Sequence, residues 1–254
     1  MRRTLIAAIA TAAAALLAAP AAQAQIEGAA VDYTVGDTVF EGYYARNAAL
    51  EEARGTVVIV HDWDGLTAYE ERRAEMLAAQ GYAAFALDVY GKDADPQDVD
   101  DTRALSGAMY DDRETFRARL RAGVEAARAQ EGAPQAVVVM GYCFGGAGTL
   151  ELARAGADAE GFVSFHGGLG TPEGQSYEGQ GAPVLVLHGS ADPVSGMAEL
   201  ATLLDDLQAA GTPHAARVFG GARHAFTVWG SDDYDPAADR ESWDALEAFL
   251  EARF

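Results

Sequence analysis

Between residues 56 and 221 the sequence carries six short strand-like runs: "TVVIVHD" (56–62), "YAAFALDVYG" (82–91), "QAVVVMG" (135–141), "GFVSFHGG" (161–168), "PVLVLHGS" (183–190) and "AARVFGG" (215–221). Val137–Met140 and Val184–Leu187 hold no polar residue that a strand could turn to water on either face. Runs of that kind belong in a parallel sheet covered by helices on both sides, so the predicted fold class is α/β with a mostly parallel central sheet. The intervening segments fit this. They predict a helix over 68–81 closed by Gly81, two helices across 97–129 with a break near Gly107, and helices at about 144–155, 194–210 and 237–252. An alternating stretch over 31–47, centred on Gly36 and Asp37, reads as a hairpin that opens the sheet.

Residues 1–24 read differently. Arg2 and Arg3, an apolar run from Leu5 to Ala19 and the tripeptide Ala22-Gln23-Ala24 match the three regions of a cleaved secretory signal. The expectation is an exported protein, periplasmic or extracellular, that starts at Gln25, has no membrane anchor after cleavage and folds over 25–254 as one domain. The formal charge is −21, and loss of Arg2 and Arg3 takes the mature chain to −23. Such a surface repels nucleic acid and anionic membranes, so neither is expected as a partner.

With a single cysteine, Cys143, no intramolecular disulfide can form, and an unpaired cysteine in an exported chain points to a reactive thiol or an intermolecular bridge. Its setting favours reactivity. Gly141-Tyr142-Cys143-Phe144-Gly145 lies between an apolar strand and a helical segment and fits the nucleophile-elbow pattern, with cysteine in the serine position. The positive N-terminal end of the following helix is expected to favour a thiolate. A cysteine nucleophile needs a base, and the base needs an orienting acid. In the order such a site requires, Asp192 follows the strand ending near 188 and His224 follows the strand ending near 219. Asp192 before Pro193 also reads as a helix N-cap, and His224 as a loop histidine; three hits in the right order favour the catalytic reading.

The stretches "GYCFGG", "SFHGGLGTP", "VLHGSADP" and "HAF" resemble the dienelactone hydrolase family, and the likeness runs through nearly the whole of 25–254. The resemblance implies the α/β-hydrolase fold and a Cys-His-Asp triad, Cys143, His224 and Asp192, that hydrolyses small esters or lactones with no metal or cofactor. It also implies an oxyanion hole formed by the backbone N–H groups of Phe144 and Trp63. In "HDWDGL" (61–66) the family commonly has a glutamate against the resting thiol where this sequence has Asp62, one methylene shorter. His61, Asp62 and Asp64 read together as metal ligands lack a zinc spacing such as H-E-x-x-H, and no metal is expected.

The namesake enzyme grips its substrate's carboxylate with arginines. No arginine follows His224 in "HAFTVWG", and Arg103 lies one residue from the other expected place, where it also reads as a solvated helix residue. Arg103, Asp62 and Tyr142 are the candidates for lining or gating the substrate site. The expected partner is a small-molecule ester or lactone, met by a monomer. The alternative from another class is a binding or scaffolding protein that keeps the fold without turnover. A thiol redox role would need a resolving cysteine.

Overall fold

The computed structural model describes residues 25–94 and 96–254. The expected signal segment over 1–24 lies outside the described residues. The strands are β1 (Ile26–Val35), β2 (Thr38–Asn47), β3 (Thr56–Val60), β4 (Ala83–Leu87), β5 (Val137–Tyr142), β6 (Gly161–Phe165), β7 (Val184–Gly189) and β8 (His214–Phe219). The helices are α1 (Ala68–Ala79), α2 (Val99–Asp111), α3 (Arg113–Arg128), α4 (Phe144–Arg154), α5 (Met197–Ala210) and α6 (Pro236–Glu251). All eight strands form one sheet in the order β1-β2-β4-β3-β5-β6-β7-β8. The β1–β2 hairpin and the β2–β4 pair are antiparallel; every pair from β4 to β8 is parallel. This is the mostly parallel α/β sheet expected from the apolar runs, in the α/β-hydrolase arrangement that the resemblance implies.

Strand alternation divides the core in two. Val58, Val60, Val137, Val139 and Val186 pack toward α3, α4 and α5, while Val57, Ile59, Val138, Met140 and Leu187 pack toward α1 and α6. Burying each such side chain is worth about 1.5–3 kcal/mol, and burial on both faces replaces the disulfides this chain lacks.

Local signals set the helix ends. Thr67 and Glu70 form a capping box at the start of α1, and Gly81 takes φ +92° just beyond its end. The break between α2 and α3 falls at Asp112, not near Gly107, which sits inside α2 with open space around it. Asp112 ends one helix and caps the next, its side chain accepting from the Thr115 N–H and hydroxyl. That cap is worth about 1 kcal/mol and outweighs the weak breaking tendency of one half-buried glycine.

Where β5 turns into α4, backbones meet closely. A Cβ on Gly145 would stand 2.1 Å from the Val60 carbonyl oxygen, and one on Gly141 2.2 Å from the Gly145 carbonyl oxygen. Neither neighbour is a flexible side-chain end. Gly145→Ala is therefore expected to destabilise the protein by ~2 kcal/mol or more, read as a lower midpoint in urea with an unchanged slope. Gly107→Ala, at an open helical position, is expected to be neutral or mildly stabilising.

Candidate active site

Four neighbouring strands each end in one residue of the site. Cys143 follows β5, His166 follows β6, Asp192 lies beyond β7 and His224 beyond β8, all at the carboxyl end of the sheet where ligands bind in this architecture. Cys143 adopts φ +49° and ψ −110°, the strained turn expected of an elbow. Its backbone is held by the Cys143 N–H to Phe165 carbonyl bond of 3.0 Å and by Ala147 N–H donating to its carbonyl at 3.1 Å.

The three residues taken from chain order are in contact. His224 Nε2 lies 3.0 Å from Cys143 Sγ, and His224 Nδ1 lies 2.8 Å from Asp192 Oδ2. The helix-cap reading of Asp192 does not hold: its other oxygen accepts from the Val194 and Ser195 N–H groups at 2.8 and 3.1 Å and closes a turn instead. The helix itself starts later, with Gly196 as N-cap. Burial opposes the charge on Asp192, but the bonds from His224 and Ser195 outweigh it and hold the carboxyl below its usual range. An ionised Asp192 makes Nδ1 the protonated nitrogen of neutral His224, leaving Nε2 free to accept from the thiol.

Asp62 also stands beside the Cys143 thiol and accepts from the backbone N–H of Trp63. Burial first and Asp64 second push the Asp62 carboxyl up to about 6. Burial, then Asp62, drive the Cys143 thiol well above its usual range, and the Phe144 N–H at the start of α4 does not compensate. The helix N-terminus was expected to favour a thiolate. In this arrangement the resting group is a thiol, because desolvation and a carboxylate together outweigh one backbone donor.

The loop carrying Asp62 and Trp63 is pinned from three sides. Glu70 Oε1 accepts from the Asp62 N–H at 3.2 Å, the Tyr90 hydroxyl donates to the Trp63 carbonyl at 2.8 Å, and the His61 ring bonds to the Asp62 carbonyl. His61 Nε2 accepts from the Val89 N–H, so both of its ring nitrogens serve the backbone and its role is structural. Among the described residues no group of three or more His, Cys, Asp or Glu side chains is placed to hold a metal ion.

Two candidates for substrate contact do not fit. Arg103 is 66% exposed on the solvent face of α2 and is paired with Asp100 one turn earlier. The buried face of that helix carries Thr102, Ser106 and Met109. Tyr142 is fully buried on the α1/α6 side, against Tyr69 and Phe165. It shares a face with Met140 and Val138, two and four residues back, as strand alternation requires. Two tyrosines that the motifs did not single out stand nearer the thiol. Tyr90 and Tyr110 both pack on the Phe144 ring, and both hydroxyls are raised by burial and by the neighbouring Cys143. Tyr90 lies just past the end of β4, a position that marks it as a site candidate; nothing in the sequence around Tyr110 does so.

Three comparisons with known proteins bear on this geometry. The family model described as the Dienelactone hydrolase family matches residues 40–254. A curated relative from Salmonella typhimurium strain LT2, named provisionally as a carboxymethylenebutenolidase, is 27% identical over 215 residues, covering 80% of this chain and 79% of its own. A crystal structure of a dienelactone hydrolase-like promiscuous phosphotriesterase from metagenomic libraries superposes with a TM-score of 0.84 at 32% identity, covering 91% of this chain and 100% of that one. An acylaminoacyl peptidase from Pyrococcus horikoshii shares the fold alone, with a TM-score of 0.69 at 16% identity over 89% of this chain and 41% of that chain.

Removing the Asp62 charge should release the thiol. In Asp62→Asn the thiolate of Cys143, followed by its ultraviolet absorbance, is expected to form at a pH lower by about one unit or more. Stability gives a second reading with a fixed sign. The folded chain holds the Asp62 proton more tightly than the unfolded chain, so its contribution to stability is lost as pH rises through about 6. Asp62→Asn should therefore gain stability over the wild type between pH 4 and pH 8; a difference that is flat in pH would remove Asp62 from this role.

Proposed function

The chain belongs to the dienelactone hydrolase family and is a hydrolase of that kind; from this premise we propose that it cleaves small neutral carboxylic esters or lactones through Cys143, His224 and Asp192. The observation that carries the reading is the continuous contact from Sγ through the imidazole to the Asp192 carboxylate, at 3.0 and 2.8 Å. His224 Nε2 takes the thiol proton as sulfur attacks the carbonyl carbon, and Asp192 stabilises the imidazolium that results. The oxyanion is received by the N–H groups of Phe144 and Trp63, each worth roughly 3–4 kcal/mol to the transition state. For the carbonyl oxygen to enter, the Asp62 oxygen must leave the Trp63 N–H that it occupies at rest. The imidazolium then protonates the departing alkoxide, leaving a thioester; water, deprotonated by His224, releases the acid. For a lactone the departing alkoxide remains tethered to the same molecule.

The reading extends to export as a chain beginning at Gln25, supported by the basic, apolar and Ala-Gln-Ala segments of residues 1–24. Among the described residues no helix is long and apolar enough to cross a membrane. The alternative of a binding protein without turnover is disfavoured by the strain at Cys143. A left-handed non-glycine backbone costs of order 1–3 kcal/mol and is retained where the displayed side chain is used.

Treatment of the native protein with iodoacetamide is expected to abolish ester hydrolysis in step with modification of Cys143. His224→Ala and Asp192→Asn should each lower kcat by roughly 10³-fold while the fold persists. Full esterase activity in the alkylated protein would overturn the nucleophile assignment.

Substrate charge follows from the same geometry. Arg103 faces solvent in an ion pair, while Asp62 and Asp192 bear on the thiol and Asp64 stands beside Asp62. A substrate carboxylate would enter that negative field with Arg103 turned away from it. The methyl ester of a dienelactone should therefore exceed the free acid in kcat/KM by about tenfold or more, ~1.4 kcal/mol, at low and high salt. The 32%-identical neighbour's description as a promiscuous phosphotriesterase adds neutral phosphotriesters to the same panel, since attack at phosphorus would use the same nucleophile and donors.

A further inference from the structure

The three non-glycine residues with positive φ among the described residues are Cys143, His166 and Ala225, at +49°, +37° and +57°. Cys143 carries the thiol and Ala225 follows the catalytic base. His166 has no part in the proton transfers, yet its backbone is strained and its ring is fully buried. That ring meets the His224 ring edge to face, with centroids 5.3 Å apart and planes at 66°. It also meets Phe226, the second residue after His224, at 5.1 Å.

His166 is itself anchored. Its Nε2 shares a hydrogen bond of 2.8 Å with Thr227 Oγ1, and the same oxygen lies 2.8 Å from the Tyr69 hydroxyl on α1. The Thr227 carbonyl accepts from Arg73, also on α1, at 2.9 Å, and Arg73 is paired with Asp239 on α6. A chain of polar contacts therefore runs from α1 and α6 to the ring beside the base.

We propose that His166, anchored through Thr227 and Tyr69, is a positioning residue that holds the His224 ring in the plane shared by Cys143 Sγ and Asp192 Oδ2. His224 is bonded only at its two nitrogens, both within the ring plane, and those two points leave the ring free to tilt about the line joining them. His166 closes that freedom from one side. The titratable groups that face it are His224, Asp192, His188 and Tyr142. Burial and the His224 charge push the His166 imidazole well below its usual range, so it stays neutral and adds no charge beside the imidazolium formed during turnover.

The proposal rests on His224 as the base, and the experiment separates the two. His224→Ala, Thr227→Val, Thr227→Ser, Tyr69→Phe and His166→Phe are compared for kcat, KM, thermal midpoint and the pH dependence of Cys143 alkylation. Expected are a fall in kcat of about tenfold or more for Thr227→Val and His166→Phe, with KM within about twofold, and a smaller fall for Tyr69→Phe. Thr227→Ser, which keeps the hydroxyl, should restore kcat, and the alkylation profile of Thr227→Val should be displaced from that of Thr227→Ser. If His224→Ala is inactive while Thr227→Val and His166→Phe keep wild-type kcat, the positioning role is wrong and the triad stands. If Thr227→Val and Thr227→Ser lose kcat equally and only in proportion to thermal stability, the hydroxyl does no more than pack, and the proposal is likewise overturned. Near-normal turnover in His224→Ala would instead remove the triad on which the proposal rests.

Discussion

The close packing of α4's first turn on the end of β3 is the constraint from which the site follows. Gly145 sits against the Val60 carbonyl with no room for a side chain, and β3 and β5 are paired in register so that Val60 faces Gly141. Those contacts fix how far the β5-to-α4 turn stands from the β3-to-α1 turn. Cys143 occupies the first turn, Asp62 and Trp63 the second, so the thiol, the carboxylate beside it and the Trp63 N–H are set by one backbone contact. The remaining strands supply His224 and Asp192, which meet a thiol already placed.

Electrostatics then decides the resting state of that thiol. In a chain of formal charge −21, Asp62 and Asp192 bear directly on Cys143, and burial strengthens their effect. The single backbone donor at the helix start cannot offset them. A thiol held neutral reacts with oxidants and alkylating agents more slowly than a thiolate would, and on the proposed reading it becomes a nucleophile as His224 accepts its proton. Asp62 raises the thiol pKa and covers the Trp63 N–H at the same time, so one side chain bears on both of the groups to which the proposed mechanism gives the attack and the oxyanion.

Much of this was legible in the sequence because the signals are local. Apolar runs without polar alternation fixed the parallel sheet, and strand-turn-helix patterning with flanking glycines picked out Cys143. Asp192 and His224 followed from their places after successive strands. What escaped depends on phase and distance. Arg103 lies near the right place along the chain but on the wrong side of a helix, where the Thr102, Ser106 and Met109 face is the buried one. Tyr142 is next to the nucleophile in sequence and on the opposite face of the sheet in space, which alternation from Met140 could have told. The thiol's protonation state depended on Asp62 reaching it across two loops, and the His166–Thr227 contact joins residues 61 apart, so neither has a local signature.

The position of His166 has a geometric reason. Strands in a sheet lie roughly 4.8 Å apart, so β8, the third neighbour of β5, ends on the order of 14 Å from it. Yet Nε2 of His224, from the loop after β8, comes within 3.0 Å of Sγ, from the turn after β5. The β8 loop must therefore bend back over the ends of β7 and β6, and the left-handed Ala225 marks that bend. The end of β7 supplies Asp192 to hold the outer nitrogen of the ring. The end of β6 lies beneath the crossing, and a residue there can support the ring only if its side chain turns up toward it. A left-handed backbone at His166 accompanies that turn, and Thr227, brought in by the same returning loop, bonds the ring in place. The strain at His166 and Ala225 thus has a common source: an imidazole carried from the third strand over must be drawn across the sheet to meet a thiol that the elbow has already fixed.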